Sequence, residues 1–132
     1  VKWYQKAASN GDSDGQINLG FMYLNGLGIP KNFTEALKWF HKAAEQGEAI
    51  AQNNIGMMYM NGDGVAKDFE EALKWLSKSA EQGYPVAQFN IGKMYAEGKG
   101  VTKSADEARY WLEKAAAQGH EDARKELSKL NE

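Results

Sequence analysis

Every tryptophan in this chain falls on one period. Trp3, Trp39, Trp75 and Trp111 are spaced 36 residues apart, and the text around them recurs with them. VKWYQKAASNG (Val1 to Gly11) is followed by ALKWFHKAAEQG (Ala36 to Gly47), ALKWLSKSAEQG (Ala72 to Gly83) and ARYWLEKAAAQG (Ala108 to Gly119). Self-similarity at a period in the tens of residues predicts stacked units, none of which can bury its apolar face alone. That constraint fixes architecture before composition is considered.

The unit itself reads as two helices. Ala36, Trp39, Phe40, Ala43 and Ala44 lie at i, i+3, i+4, i+7 and i+8, the stripe of a half-buried helix. Asn32 precedes Glu35 by three residues, as Asp68 precedes Glu71 and Ser104 precedes Glu107. Each pair predicts a capping box, in which the short side chain bonds a free N–H and the Glu bonds back. Upstream, Asp14 to Leu24 predicts a first helix with Leu19, Met22 and Tyr23 inward, closed by Asn25-Gly26. Gly20, Gly56 and Gly92 recur inside these first helices, where glycine is unfavourable. A repeated penalty predicts helices that approach too closely for a Cβ.

The expected architecture is all-α, a right-handed α/α superhelix of antiparallel helix pairs with about eight helices. Residues 1–132 form one solenoid. Residues 1–11 are the second helix of a truncated unit, 12–47, 48–83 and 84–119 are full units, and 120–132 are a capping helix. The cap follows from HEDARKELSKL, which aligns with a first helix but places Ser128 for Gly92, Asn131 for Tyr95 and many charges outward. At the other end, Trp3 and Tyr4 lack a partner helix, which predicts apolar surface open to self-association. The chain begins on Val, partway through a repeat, and reads as a segment of a longer protein.

With these residues laid out, the chain resembles the Sel-one-like repeat proteins, relatives of the tetratricopeptide repeats. AIAQNNIGMMYMNGDGVAKDFEEALKWLSKSAEQG (Ala49 to Gly83) carries the family pattern nearly throughout. The third unit follows it closely, and the first departs at Gly15 (for Ala) and Asn32 (for Asp). The resemblance implies adaptor and scaffold roles, with another protein or peptide as partner, in a bacterial periplasmic or secreted setting, the cytoplasm staying open. It also offers two alternatives: an envelope glycan or peptidoglycan module, and a hydrolase of a cysteine-rich branch linked to β-lactams. The chain has no cysteine, which fits that branch poorly.

Composition narrows the remaining classes. Sixteen basic and eighteen acidic residues give a net charge of −2 without a basic cluster, arguing against nucleic acid. No apolar run approaches the roughly 20 residues of a membrane helix, so direct membrane insertion is not expected. His41 and His120 read as surface residues without a second ligand at metal spacing. Gly26-x-Gly28-x-x-Lys31 and its two copies resemble phosphate loops but follow a helix, and read as turns. Asn61, Asp63 and Asp68 lack the order of a calcium loop, and the serines lack nucleophile motifs. No catalytic residue, cofactor or metal is therefore assigned, and the tryptophans read as core.

What remains is a surface. The packing positions of a first helix are fixed by the repeat, and the free face lies at i, i+4 and i+7. That face is Ile17, Phe21 and Leu24 in unit one, Asn53, Met57 and Met60 in unit two, and Phe89, Lys93 and Ala96 in unit three. It is less polar than a solvated face, and methionine suits surfaces that adapt to varied partners. The expectation is a concave groove for an extended peptide or partner helix. Its apolar anchors concentrate in units one and two, and Lys93 meets an acidic group. Asn18, Asn54 and Asn90 form a ladder beside it, either structural or ligand-contacting. The resemblance to tetratricopeptide domains implies no carboxylate clamp, because position 17 is Ile where such a clamp has Lys.

Overall fold

The computed structural model describes the backbone of residues 2–130 and the side chains from residue 5 to residue 130. Among the described residues the secondary structure is helical, with no strand. The order is α1 (Lys2–Ser9), α2 (Ser13–Asn25), α3 (Phe33–Glu45), α4 (Ala49–Asn61), α5 (Phe69–Glu81), α6 (Pro85–Glu97), α7 (Ala105–Ala117) and α8 (Glu121–Leu130). Helices pack on their neighbours in sequence, α1 on α2 through to α7 on α8, and the tightest pairs are α2 with α3, α4 with α5 and α6 with α7. This is a solenoid of helix pairs. The apolar N-terminal end expected from Trp3 and Tyr4 lies outside the described side chains.

The caps form, but only half of each capping box does. Oδ1 of Asn32 accepts from the Glu35 N–H at 3.1 Å, Oδ1 of Asp68 from the Glu71 N–H at 3.1 Å, and Oγ of Ser104 from the Glu107 N–H at 3.1 Å. The return bond from the Glu side chain is replaced. The N–H groups of Asn32, Asp68 and Ser104 donate instead to the carbonyls of Tyr23, Tyr59 and Tyr95, at 2.9, 3.0 and 3.0 Å. A backbone carbonyl near the end of the first helix thus holds the start of the second, and each loop is tied into a fixed bend. The first helices end on Gly26, Gly62 and Gly98 with φ of 68°, 73° and 71°, the left-handed cap that glycine supplies without strain.

The recurring glycines mark the close approach within each pair. A Cβ on Gly20 would lie 2.7 Å from the Phe40 ring, one on Gly56 2.7 Å from Leu76 Cγ, and one on Gly92 2.7 Å from Leu112 Cγ. Gly15, the departure in unit one, has the same cause: its Cβ would meet Ala7 Cβ and the Ala8 nitrogen at 2.9 Å. Around these contacts lie small, fully buried residues such as Ala36, Ala72 and Ala108, with Phe40, Leu76 and Leu112 filling the space between helices.

Glutamines stitch the pairs together. Nε2 of Gln46 donates to Oε1 of Gln16 at 2.9 Å, Gln82 to Gln52 at 2.8 Å, and Gln118 to Gln88 at 3.0 Å. Gln16, Gln52 and Gln88 pass the chain on to the carbonyls of Ala8, Ala44 and Ala80 in the preceding second helix. Each tie joins three helices through one buried glutamine, Gln16, Gln52 or Gln88, and one exposed one, and a buried amide satisfied in this way favours a single arrangement.

Both histidines are more engaged than surface residues would be. His41 on α3 is half-buried, its ring edge-on to Trp75 of α5 at 5.2 Å. Burial lowers its pKa from the ordinary value, against the opposing pull of the Glu45 and Glu71 charges. His120 accepts the Ala123 N–H at Nδ1, 3.1 Å away, and so caps α8. Of the tryptophans, Trp39 is buried, while Trp75 and Trp111 are half-buried, with Lys78 over the Trp75 ring at 4.5 Å.

Candidate functional site

The free faces of α2, α4 and α6 do not share one environment. On α2, Ile17 is only 7% exposed and belongs to the core formed by α2, α3 and α4. Phe21 stands edge-on to Phe40 with centroids 5.3 Å apart, and Leu24 packs on the same cluster. Asn18 alone of the unit-one candidates is exposed. Of the expected anchors of unit one, Ile17 is thus drawn into the core, while Phe21 and Leu24 pack partly buried against it.

The open space lies one unit further on. A cleft of about 220 Å³ separates α4 from α6. Met57, Met60 and Asn61 line it from α4. Phe89, Asn90, Lys93 and Glu97 line it from α6, with Met94 behind them and Lys99 on the loop beyond. Five of the candidates, Met57, Met60, Phe89, Asn90 and Lys93, therefore meet around one concavity in units two and three. Ala96 faces away, packed on the cluster between α7 and α8. The concavity therefore lies in units two and three rather than in units one and two, and Ile17 is buried in the core.

The asparagines explain how the cleft is held. Asn90 Nδ2 donates to Oδ1 of Asn53, 3.0 Å away and 37 residues earlier. Asn53 is only 5% exposed, so this bond is part of the joint between α4 and α6. The same offset from Asn54 lands on Ile17, which has no acceptor. Asn54 Nδ2 is accordingly buried without a partner. The ladder is one real rung at Asn90 and one broken rung at Asn54.

The charges are uneven. Lys99 Nζ pairs with Glu97 Oε1 at 3.5 Å, both side chains nearly half exposed. Lys93 Nζ lies 5.7 Å from the Phe89 centroid and, among the described residues, has no carboxylate within ion-pair distance. Phe89 is braced from behind by the His120 ring, stacked at 4.7 Å and 27°. Asn61, Met94, Glu97, Lys99 and His120 were not candidates from sequence. Asn61 and Glu97 lie one further turn along the Met57 and Lys93 stripes, at i+4, and could have been found there. The other three are brought in by packing.

No cluster of three or more potential metal-ligating side chains occurs among the described residues. No described helix is long and apolar enough to cross a membrane. A glycan platform would need an exposed aromatic pair, and the two phenylalanines of the candidate face, Phe21 and Phe89, sit two units apart and pack on Phe40 and His120 respectively.

Comparison with known proteins decides the family. The family profile described as Sel1 repeat matches residues 1–12, 13–48, 49–84 and 85–120. The chain belongs to the Sel1 repeat family. It is similar to the crystal structure of a Sel1 repeat protein from Oxalobacter formigenes, with 43% identity over 96% of this chain and 95% of that one and a TM-score of 0.83. It also matches c5321 of uropathogenic Escherichia coli, described as a protective antigen with an SLR fold, at 42% identity and a TM-score of 0.86. That match spans 89% of this chain but 25% of the antigen. The cysteine rich protein B of Helicobacter pylori shares 27% identity, with 94% and 89% of the two chains covered and a TM-score of 0.73. A search of curated protein sequences finds no match. Sel1 repeat proteins are generally interaction scaffolds and generally non-catalytic.

Proposed function

We propose that this chain is a non-catalytic interaction module that holds a peptide or partner protein on the face formed by α2, α4 and α6. The observation that carries this is the cleft between α4 and α6. There Met57, Met60 and Phe89 are partly exposed around one concavity, whereas Ile17, the unit-one counterpart of Phe89, is buried. Its volume, about 220 Å³, is below the roughly 300–1,000 Å³ of small-molecule sites and suits a side chain of a larger partner. The walls are preset by the Asn90–Asn53 bond and the His120 stack, so little ordering entropy is lost on binding. Partners of this module are proteins, held by shape and apolar contact.

Selection of peptides from a displayed random library on the immobilised chain tests the reading. Selected peptides should compete with one another and lose about tenfold or more in affinity for Met57→Glu or Phe89→Glu, the effect of removing one central anchor. Met57→Glu should also keep its melting temperature near that of the parent, since Met57 is only half-buried. A selection that yields no peptide sensitive to either substitution sinks the proposal.

A further inference from the structure

We infer that the α4–α6 cleft selects an extended acidic peptide: an unbranched apolar side chain enters between Met57, Met60 and Phe89, and a neighbouring carboxylate meets Lys93. This rests on the interaction reading above and adds the chemistry of the partner.

Charge argues first. The chain is net acidic, at −2, yet the cleft holds two lysines and one glutamate. Glu97 is already committed to Lys99 at 3.5 Å. Lys93 leans over the Phe89 ring at 5.7 Å and is left with no carboxylate in reach among the described residues. An uncompensated cation at the edge of an apolar recess favours a partner that brings an apolar group and an anion together, and repels a basic one.

Backbone chemistry argues next for an extended segment. One of the two Nδ2 hydrogens of Asn90 is used by Asn53, which leaves the second N–H and the carbonyl oxygen to the cleft. Asn61, exposed on the opposite wall, offers both a donor and an acceptor. An extended peptide has N–H and C=O groups to place against them, whereas a helix has used its own. The methionine walls, flexible and polarisable, fit an unbranched side chain without demanding one shape.

The test uses the whole chain, labelled at its methionine methyl groups and observed by NMR. The probes are short Gly/Ser peptides with a central Met–Glu, Met–Gln or Met–Lys pair. The Met–Glu peptide should shift the Met57 and Met60 methyls with an affinity roughly two- to fivefold above that of Met–Gln, the range an exposed ion pair supports. Met–Lys should bind more weakly than either. Lys93→Gln should erase the preference for Glu, and added salt should shrink it in the parent protein. Equal affinities for all three peptides, with Met57 and Met60 still shifting, would overturn the acidic selectivity and leave the groove standing. Absence of any shift at Met57 and Met60 with every peptide would overturn both.

Discussion

At the scale of single residues, the asparagines show how one substitution changes the meaning of a repeat. Asn90 and Asn54 occupy equivalent positions, but only Asn90 finds an acceptor, because Asn53 lies 37 residues before it and Ile17 lies at that offset from Asn54. The two alanine variants should therefore differ. Asn90→Ala strands the buried Oδ1 of Asn53 and should cost about 1–3 kcal/mol, the penalty for an unsatisfied buried polar group. Asn54→Ala removes an amide whose N–H already has no partner, and should be near neutral or slightly stabilising. Denaturant midpoints of the two variants check this, and equal losses would refute the broken rung.

At the scale of helices, the joints are polar as well as apolar. Gln82 ties the end of α5 to Gln52 on α4, which in turn reaches the last turn of α3. Gln82→Ala should destabilise by about 1–3 kcal/mol by leaving Gln52 Oε1 unpaired, since Gln52 is only 7% exposed. Gln82→Leu should not recover the loss, which separates the hydrogen bond from the packing. A second joint is sensitive to acid. Burial between α3 and α5 lowers the His41 pKa in the folded chain, while the unfolded chain keeps the ordinary value of about 6.5. The unfolded state then takes up the proton first, so stability is held above that pH and lost as the pH falls through the ordinary value toward the lowered one. Melting temperatures measured from pH 7 to 5 should fall more steeply for the parent than for His41→Asn. Parallel curves would mean that His41 is not desolvated as described.

At the scale of the whole molecule, the main helix–helix contacts among the described residues join sequence neighbours along the array, so stability is approximately the sum of unit and joint terms. The last joint carries a double duty. Ala123, Leu127 and Leu130 of α8 cover Ala108, Leu112 and Ala115 of α7, and His120 at the start of α8 braces Phe89 in the cleft. Removing residues 120–132 should lower the melting temperature and expose the α7 face, so that the shortened chain self-associates on a sizing column. Hydrogen exchange should quicken in α6 and α7 before α2 and α3, because the loss enters from that end. Uniform acceleration along the chain would contradict an array of near-independent units.

The repeat period, the helix pairs, the glycine contacts and the N-caps were legible in the sequence, because each depends on residues a few positions apart or on a residue returning at the period. The glutamine ties were legible in principle too, as Gln16, Gln52 and Gln88 each have a glutamine 30 residues on. Period and stripe also placed Met57, Met60, Phe89 and Lys93 on one face of the first helices. Tertiary structure alone decided which part of that face stays open. Ile17 and Phe21 are folded against Phe40, while Met57, Met60, Phe89 and Lys93 line an open space between α4 and α6. Tertiary structure also decided that the caps bond to tyrosine carbonyls and that His120 stands behind Phe89, since those partners meet only when separate helices come together. A sequence states what each helix offers to its neighbour, and the volume of the neighbour's side chains determines what is left for a partner.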